Sequence, residues 1–322
     1  MDVAARVDPE LAAALQALPA GTLDWQDLPA TRASRLAVLL QATADIPDLP
    51  QVTKEDRLIP GRAGDPDVPV RIYRPTAASG SLPGFLWIHG GGYVLGSIAM
   101  NDVAMQHLVS EVGCVVVSVE YRLAPEHPFP AGSEDCYAAL KWLSAQAEGL
   151  GVDPTRIAIG GASAGGGLAA GLALLARDRG EVPVDFQLLV YPMIDDRRTT
   201  PSSQAITDPR IWNRESNRKG WGAYLGGEPG GADVSPYAAA ARATDLTGLP
   251  PAHIAVGTLD LFLDENIEYA QRLLQAGVAI ELHVYPGAFH GSENMAPVAA
   301  LSQRMVADRL QALTRALHPR GS

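Results

Sequence analysis

The chain is predicted to be an α/β protein, because short apolar runs alternate with helix-like segments along most of its length. Eight runs are predicted strands, at 54–59, 68–73, 84–88, 114–120, 156–160, 186–191, 253–257 and 281–285. Helix-like segments follow at 102–111, 133–148, 164–179, 264–276 and 299–316. This order predicts a mostly parallel eight-stranded sheet that is flanked by helices on both faces.

The composition is that of an ordinary globular protein and excludes several classes of function. Of the 322 residues, 47% are apolar and 19% are charged, and the formal net charge is −11. An acidic chain is repelled by nucleic acids and by anionic membrane surfaces, so neither is an expected partner. The most apolar run, at 165–176, is too short to span a bilayer. No secretory signal is visible, which predicts a cytoplasmic protein whose Cys114 and Cys136 are free thiols.

The most informative motif is Gly-Ala-Ser-Ala-Gly at 161–165, between a predicted strand and a run of small residues typical of a buried helix. A serine on such a turn adopts a strained backbone conformation, and glycines on either side let strand and helix pass closely. The motif therefore predicts that Ser163 is a nucleophile. A glycine-rich turn can also serve packing alone, and the pentapeptide by itself leaves both interpretations open.

Two further segments favour catalysis. The strand at 84–88 ends in His-Gly-Gly-Gly-Tyr at 89–93, where glycines leave backbone N–H groups free to bind an oxyanion. Asp260 and His290 each follow a later predicted strand, and the order Ser, Asp, His suits a triad with His290 as general base. Asp264 competes with Asp260, although we expect it to cap or begin a helix. His107 and His283 are predicted to be structural residues.

Together, five motifs resemble those of the hormone-sensitive-lipase-like esterases, the bacterial family IV group of the α/β-hydrolase fold. They lie at 89–93, 121–126, 161–166, 260–265 and 289–291. The resemblance implies oxyanion donors at Gly91, Gly92 and Ala164, and a structural role for His89. The sequence departs from the family pattern at Ala162, where an acidic residue is usual, and this puts the rigidity of the turn in question.

Two regions fall outside the strand–helix alternation. One is the N-terminal stretch, with leucines at helical spacing, and the other is a long insertion that carries Trp212 and Trp221. The resemblance implies that both form a helical cap, although an aromatic cluster that only stabilises a loop is also compatible. The predicted division is 1–50 and 195–233 for the cap, and 51–194 with 234–322 for the catalytic domain. Tyr93, Trp212 and Trp221 are the predicted substrate contacts.

These observations predict a serine carboxylic-ester hydrolase that acts on short to medium acyl esters. An amide or carbamate hydrolase with the same site is the alternative enzyme, and a non-catalytic small-molecule receptor is the alternative of another class. No metal-ligand spacing is recognised, and the glycines at 160–167 do not match a dinucleotide loop, so no metal or cofactor is expected. The expected partner is a small ester, and the choice between monomer and homodimer stays open.

Overall fold

A computed structural model describes residues 2–21, 23–77 and 80–319 of the chain. Its strands are β1 (Val52–Ile59), β2 (Val68–Pro75), β3 (Leu82–Ile88), β4 (Val115–Val119), β5 (Val152–Ala162), β6 (Phe186–Val190), β7 (Ala252–Leu259) and β8 (Ile280–Phe289). Its helices are α1 (Pro9–Ala17), α2 (Leu28–Thr43), α3 (Asp102–Val112), α4 (Ala131–Ala145), α5 (Ala147–Leu150), α6 (Ala164–Arg179), α7 (Pro201–Ala205), α8 (Arg214–Leu225), α9 (Leu263–Gln275), α10 (Ser292–Met295) and α11 (Ala300–Leu317). The fold is therefore the predicted α/β arrangement, and each predicted strand overlaps an observed one.

The strands form one eight-stranded sheet in the order β1-β2-β4-β3-β5-β6-β7-β8. β2 runs antiparallel to β1 and β4, and the pairs from β4 to β8 are parallel. Helices cover both faces of the parallel part, and this explains why every residue of β4 and β6 is buried and all but one residue of each is apolar. β1 lies at the edge and is mostly exposed.

The order of the strands reverses between β3 and β5. The chain passes from β3 to β4 on one side and then returns to place β5 on the other side of β3. In open α/β sheets such a reversal opens a crevice at the carboxyl ends of the strands, and ligands bind there. The glycine loop after β3 and the serine turn after β5 therefore meet at this crevice.

Helix α6 is the buried helix that was predicted behind the serine turn. All of its residues up to Ala176 are buried, and its glycines lie against neighbouring backbone. A Cβ at Gly167 would lie 2.0 Å from the Met193 carbonyl oxygen, and one at Gly171 would lie 2.2 Å from that of Tyr237. The helix is apolar because it is enclosed by protein. Among the described residues, no helix has both the length and the apolar character needed to cross a membrane.

The N-terminal helices differ in how they are attached. In α1, Leu11 and Leu15 are fully buried and belong to the same apolar core as the sheet, and the Asp8 N–H donates to the Gly287 carbonyl. In α2, by contrast, Leu36 and Leu40 are exposed, so the apolar spacing that correctly predicted a helix did not predict a buried face. The domain division stays a prediction, and its end residues 1 and 320–322 lie outside the described ranges.

Because Leu11 is buried in the main core, Leu11→Ala is expected to lower the free energy of unfolding by about 2–5 kcal/mol. The matched control is Leu40→Ala on α2, whose side chain is 54% exposed and whose loss should change stability by less than about 0.5 kcal/mol. Urea unfolding of both variants measures the difference. Equal effects at the two positions would contradict the docking of α1 on the core.

Candidate active site

Ser163 lies at the turn between β5 and α6 with φ 57° and ψ −120°, a conformation that non-glycine residues rarely adopt. The close packing predicted for its flanking glycines is present. A Cβ at Gly161 would lie 2.4 Å from the backbone of Gly165, and one at Gly165 would lie 2.1 Å from the Ile88 carbonyl oxygen. These contacts hold the turn tightly against β3 and leave the serine side chain at its tip.

The turn is fixed by backbone hydrogen bonds, although Ala162 stands where an acidic residue is usual. The Ser163 N–H donates to the Val190 carbonyl at 2.9 Å. The Ser163 carbonyl accepts from the N–H groups of Gly167, at 2.9 Å, and Met193, at 3.0 Å. The backbone therefore fixes the serine without a carboxylate at position 162.

Ser163, His290 and Asp260 form a continuous hydrogen-bonded chain. His290 Nε2 lies 2.9 Å from Ser163 Oγ, and His290 Nδ1 lies 2.7 Å from Asp260 Oδ2. The three residues follow β5, β8 and β7, so the carboxyl ends of the strands bring them together as the sequence predicts. Asp260 is buried, and its other oxygen accepts from the Phe262 N–H at 3.0 Å, which orients the carboxylate.

The competing acid, Asp264, points elsewhere. It lies in the first turn of α9, and its Oδ2 accepts from the Ser202 N–H of α7 at 2.6 Å. The Ser202 hydroxyl in turn accepts from the Asp264 N–H at 3.1 Å. Asp264 therefore ties the insertion to α9, and the prediction of a first-turn acid is confirmed.

Sequence reasoning missed two aromatic residues that hold the His290 ring. Tyr191 and Phe262 each contact it edge-on, with ring centroids 4.7 Å and 5.2 Å away. The Tyr191 hydroxyl donates to Glu293 at 2.5 Å, which fixes that ring as well. Phe262 lies inside the motif at 260–265, so its place in the motif was a signal that could have found it.

The glycine loop after β3 lies against the serine turn. Gly91 and Gly92 have φ values of 125° and 62°, which favour glycine. Within the described part of the chain, the backbone N–H groups of Gly91, Gly92 and Ala164 have no hydrogen-bond acceptor. They are therefore free to donate to a ligand, as an oxyanion hole requires.

His89 and Tyr121 pack beside the glycine loop and support it. Burial lowers the pKa of His89 to about 4, so its imidazole is neutral, and its Nδ1 lies 2.8 Å from the Gly90 carbonyl oxygen. Tyr121 stacks on the imidazole and donates its hydroxyl to the His89 carbonyl at 3.0 Å. These contacts agree with a structural role for His89 and with support of the site by the loop at 121–126.

A second support comes from α2. Arg32 makes a bidentate ion pair with Glu126, with 2.7 Å from Nη1 to Oε1 and 2.8 Å from Nη2 to Oε2. Its guanidinium also donates to the carbonyls of Val94 and Ala124. Since the arginine side chain is mostly buried, the guanidinium links three segments at fixed positions. The N-terminal region is thereby joined to the loop that follows the glycines.

The three predicted substrate contacts occupy different environments. Trp212 is half-buried, and its ring lies directly on the glycine loop, where a Cβ at Gly92 would meet it at 2.1 Å. Its ring is 6.4 Å from that of Trp25, so the insertion and the N-terminal stretch meet here. Tyr93 and Trp221 are fully buried beside Tyr224, and the Tyr93 hydroxyl donates to the Met193 carbonyl at 2.7 Å. Their role in substrate contact stays a prediction.

Glu265 is a buried acid in the first turn of α9. Its Oε1 accepts from the N–H groups of Ile194 and Asp195, at 2.9 and 3.2 Å, and its Oε2 has no partner among the described residues. Burial raises the pKa of Glu265 well above its usual value, and the charges of Asp195 and Asp260 act in the same direction. The side chain therefore keeps its proton at pH values where an exposed glutamate has lost it.

Glu265→Gln is expected to remove a pH dependence of stability. The folded state holds the Glu265 proton above pH 4.5, where the unfolded chain releases it, so the free energy of unfolding falls as the pH rises toward the raised pKa. The stability of the wild type relative to Glu265→Gln should therefore decrease from about pH 5 to pH 8, as measured by urea unfolding. Glu268→Gln, at an exposed position on the same helix, is the control. A stability difference between the wild type and Glu265→Gln that stays constant from pH 5 to pH 8 would mean that Glu265 is ionised in the folded state.

Comparison with known proteins agrees with this geometry. Residues 85–294 match a family model described as the α/β-hydrolase fold. The chain is 42% identical to carboxylesterase NlhH of Mycobacterium tuberculosis, over 84% of this chain and 85% of that one. Among solved structures, a bacterial heroin esterase superposes with a TM-score of 0.93 at 48% identity, covering 98% of this chain and 99% of that one. The esterase LipW of Mycobacterium marinum superposes with a TM-score of 0.89 at 38% identity, covering 99% and 98%. The chain belongs to the α/β-hydrolase family, in its hormone-sensitive-lipase-like group of esterases.

Proposed function

We propose that this esterase hydrolyses carboxylic esters with short to medium acyl groups through an acyl-enzyme intermediate on Ser163. The hydrogen-bonded chain of Ser163, His290 and Asp260 carries the proposal. His290 Nε2 accepts the hydroxyl proton as Ser163 Oγ attacks the carbonyl carbon, and it then returns the proton to the leaving alkoxide. Asp260 holds the imidazole in the required tautomer and stabilises the imidazolium.

The same machinery accounts for the second half of the reaction. Water takes the place of the alcohol, and His290 accepts one of its protons as the water oxygen attacks the acyl carbon. The bond between the acyl carbon and Ser163 Oγ then breaks, and His290 returns the proton to Oγ, which releases the acid and restores Ser163. In both halves the N–H groups of Gly91, Gly92 and Ala164 donate to the oxyanion. Removal of one such donor typically costs about 3 kcal/mol of transition-state stabilisation, so the glycine loop contributes on the same scale as a triad member.

The cap supports the proposed preference for small acyl groups. Trp212 lies on Gly92, next to the proposed oxyanion hole, and its large ring restricts the space there. Tyr93 and Trp221, which pack with Tyr224 beneath this region, then act by holding the loop and the cap in position. The names of the related esterases agree with ester hydrolysis. A small ester as partner, a cytoplasmic location and the division into catalytic domain and cap belong to the same proposal.

The proposal is tested with a series of p-nitrophenyl esters from acetate to palmitate, with a p-nitroanilide as the amide control. The wild type is expected to prefer the short esters and to leave the anilide largely uncleaved. Ser163→Ala should reduce ester turnover by several orders of magnitude with an unchanged melting temperature, because the remaining groups lack a nucleophile. An organophosphonate should label the wild type at Ser163.

Three results would contradict this proposal. A faster reaction with the anilide than with the esters would make the enzyme an amidase. Absence of turnover on every substrate, with tight binding of a small molecule, would favour the receptor alternative. Retention of more than a few per cent of the ester activity by Ser163→Ala would place the nucleophile elsewhere.

The two acids of the motif at 260–265 can be separated by substitution. Asp260→Asn should lower kcat by about 10⁴-fold, because the amide favours the wrong imidazole tautomer. Asp264→Asn is the matched control, since its carboxylate binds the Ser202 N–H in the insertion and asparagine still offers an acceptor. We expect a change of less than tenfold in kcat for Asp264→Asn, about 1.4 kcal/mol at most. A larger loss of kcat at Asp264 than at Asp260 would contradict the assignment of the triad acid.

A further inference from the structure

A second cluster of potential ligands lies at the opposite end of the two strands that lead to Asp260 and His290. In the register of β7 and β8, His253 pairs with Glu281, and His283 follows two residues later. Alternation along a strand places the three side chains on one face of the sheet. His253 and His283 each precede their triad residue by seven positions, roughly 20 Å along an extended strand, so the cluster is separate from the active site.

The three side chains converge on a small volume. One ligand atom from each of His253, Glu281 and His283 lies within 4.8 Å of the other two. Glu281 Oε1 is central, since it is 2.7 Å from His283 Nε2 and 3.9 Å from His253 Nδ1. The two imidazole rings have centroids 5.1 Å apart. The 3.9 Å between His253 Nδ1 and Glu281 Oε1 is too long for a direct hydrogen bond but short enough for both atoms to bind one ligand between them.

The environment of His253 indicates that such a ligand is present. Its side chain is fully buried, and neither ring nitrogen has a hydrogen-bond partner within the described part of the chain. Buried polar atoms are nearly always satisfied, because an unsatisfied one loses its interaction with water and gains nothing in return. A ligand held between His253 Nδ1 and Glu281 Oε1 would satisfy one of the two nitrogens.

Neighbouring residues bind and orient the side chains of this cluster, as residues that hydrogen-bond to metal ligands do in known metal sites. Asp308 Oδ2, on α11, lies 3.3 Å from His283 Nδ1, which directs the Nε2 atom toward Glu281 and His253. The Tyr285 hydroxyl donates to the same Asp308 oxygen at 2.9 Å. Arg315 binds Glu281 Oε2, so Oε1 is the oxygen that faces the imidazoles. A carboxylate behind a ligating histidine is the usual arrangement in protein zinc sites.

We propose that His253 Nδ1, His283 Nε2 and Glu281 Oε1 bind one divalent transition-metal ion, with zinc as the best match. Two imidazoles and one carboxylate suit zinc, whereas magnesium and calcium require a set of oxygen ligands that these residues do not provide. Glu281 and His283 are partly exposed, so water can complete the coordination and the ion can enter from solvent. The ion joins β7 to β8 beneath α11 and thereby stabilises the strands that lead to Asp260 and His290.

The test uses the full chain without a polyhistidine tag, treated with a chelator and dialysed. Zn²⁺ titration by isothermal calorimetry should give one site, and Co²⁺ should give the visible absorption of a tetrahedral centre. The melting temperature should rise with Zn²⁺ concentration, because the ion binds the folded state. His283→Ala and Glu281→Gln, both at partly exposed positions, should each weaken binding by more than tenfold and remove the thermal shift.

Further variants test whether Asp308 supports the proposed site and whether histidines elsewhere in the chain bind the ion. Asp308→Asn should weaken binding by about 10- to 100-fold without removing a ligand. His107→Ala, at an exposed position on α3, and His290→Ala, at the active site, should leave the affinity and the thermal shift unchanged. The proposal is overturned if no ion binds at micromolar concentration, or if binding persists in His283→Ala and Glu281→Gln. It is also overturned if binding disappears in His290→Ala, since the ion would then bind at the triad.

Discussion

The strained conformation of Ser163 is the constraint on which the rest of the site depends. A positive φ at a serine persists only where the surrounding structure leaves the backbone no alternative. Here the alternatives are removed by close backbone contacts of Gly161 and Gly165 and by the hydrogen bonds of the Ser163 N–H and carbonyl. These contacts come from β3, β6 and the segment after β6, so the serine can take this conformation only once the centre of the sheet has assembled.

Three acids of the motif at 260–265 contact His290 and the insertion. Asp260 orients His290, Asp264 binds the backbone of α7, and Glu265 binds the backbone at Ile194 and Asp195 where the insertion begins. The motif thus places Asp260 beside His290 at one end and binds the start of the insertion at the other. Because burial raises the pKa of Glu265 and keeps its side chain protonated, Glu265 lies near Asp260 without repulsion between two negative charges.

Sequence patterns predicted the sheet, and they predicted that Ser163, Asp260 and His290 lie together, because both features depend on local signals. Apolar runs mark the strands, and residues at the ends of parallel strands must meet at one edge. What the sequence missed depends on register and packing. His253, Glu281 and His283 have no recognisable ligand spacing, and only the pairing of β7 with β8 brings them together. Likewise, helical spacing in α2 predicted the helix, but no local signal indicated that Leu36 and Leu40 would be exposed.

The contact between Trp212 and Gly92 has a consequence for how such an enzyme can change its specificity. The indole occupies the volume that any side chain at position 92 would need, so the glycine loop and the insertion share one space. A substitution that enlarges the side chain at position 92 therefore requires a smaller side chain at position 212. A variant that changes only one of the two positions has either a steric clash or a void. Libraries that randomise position 212 alone would therefore miss the variants that require both changes, and the two positions are best varied as a pair.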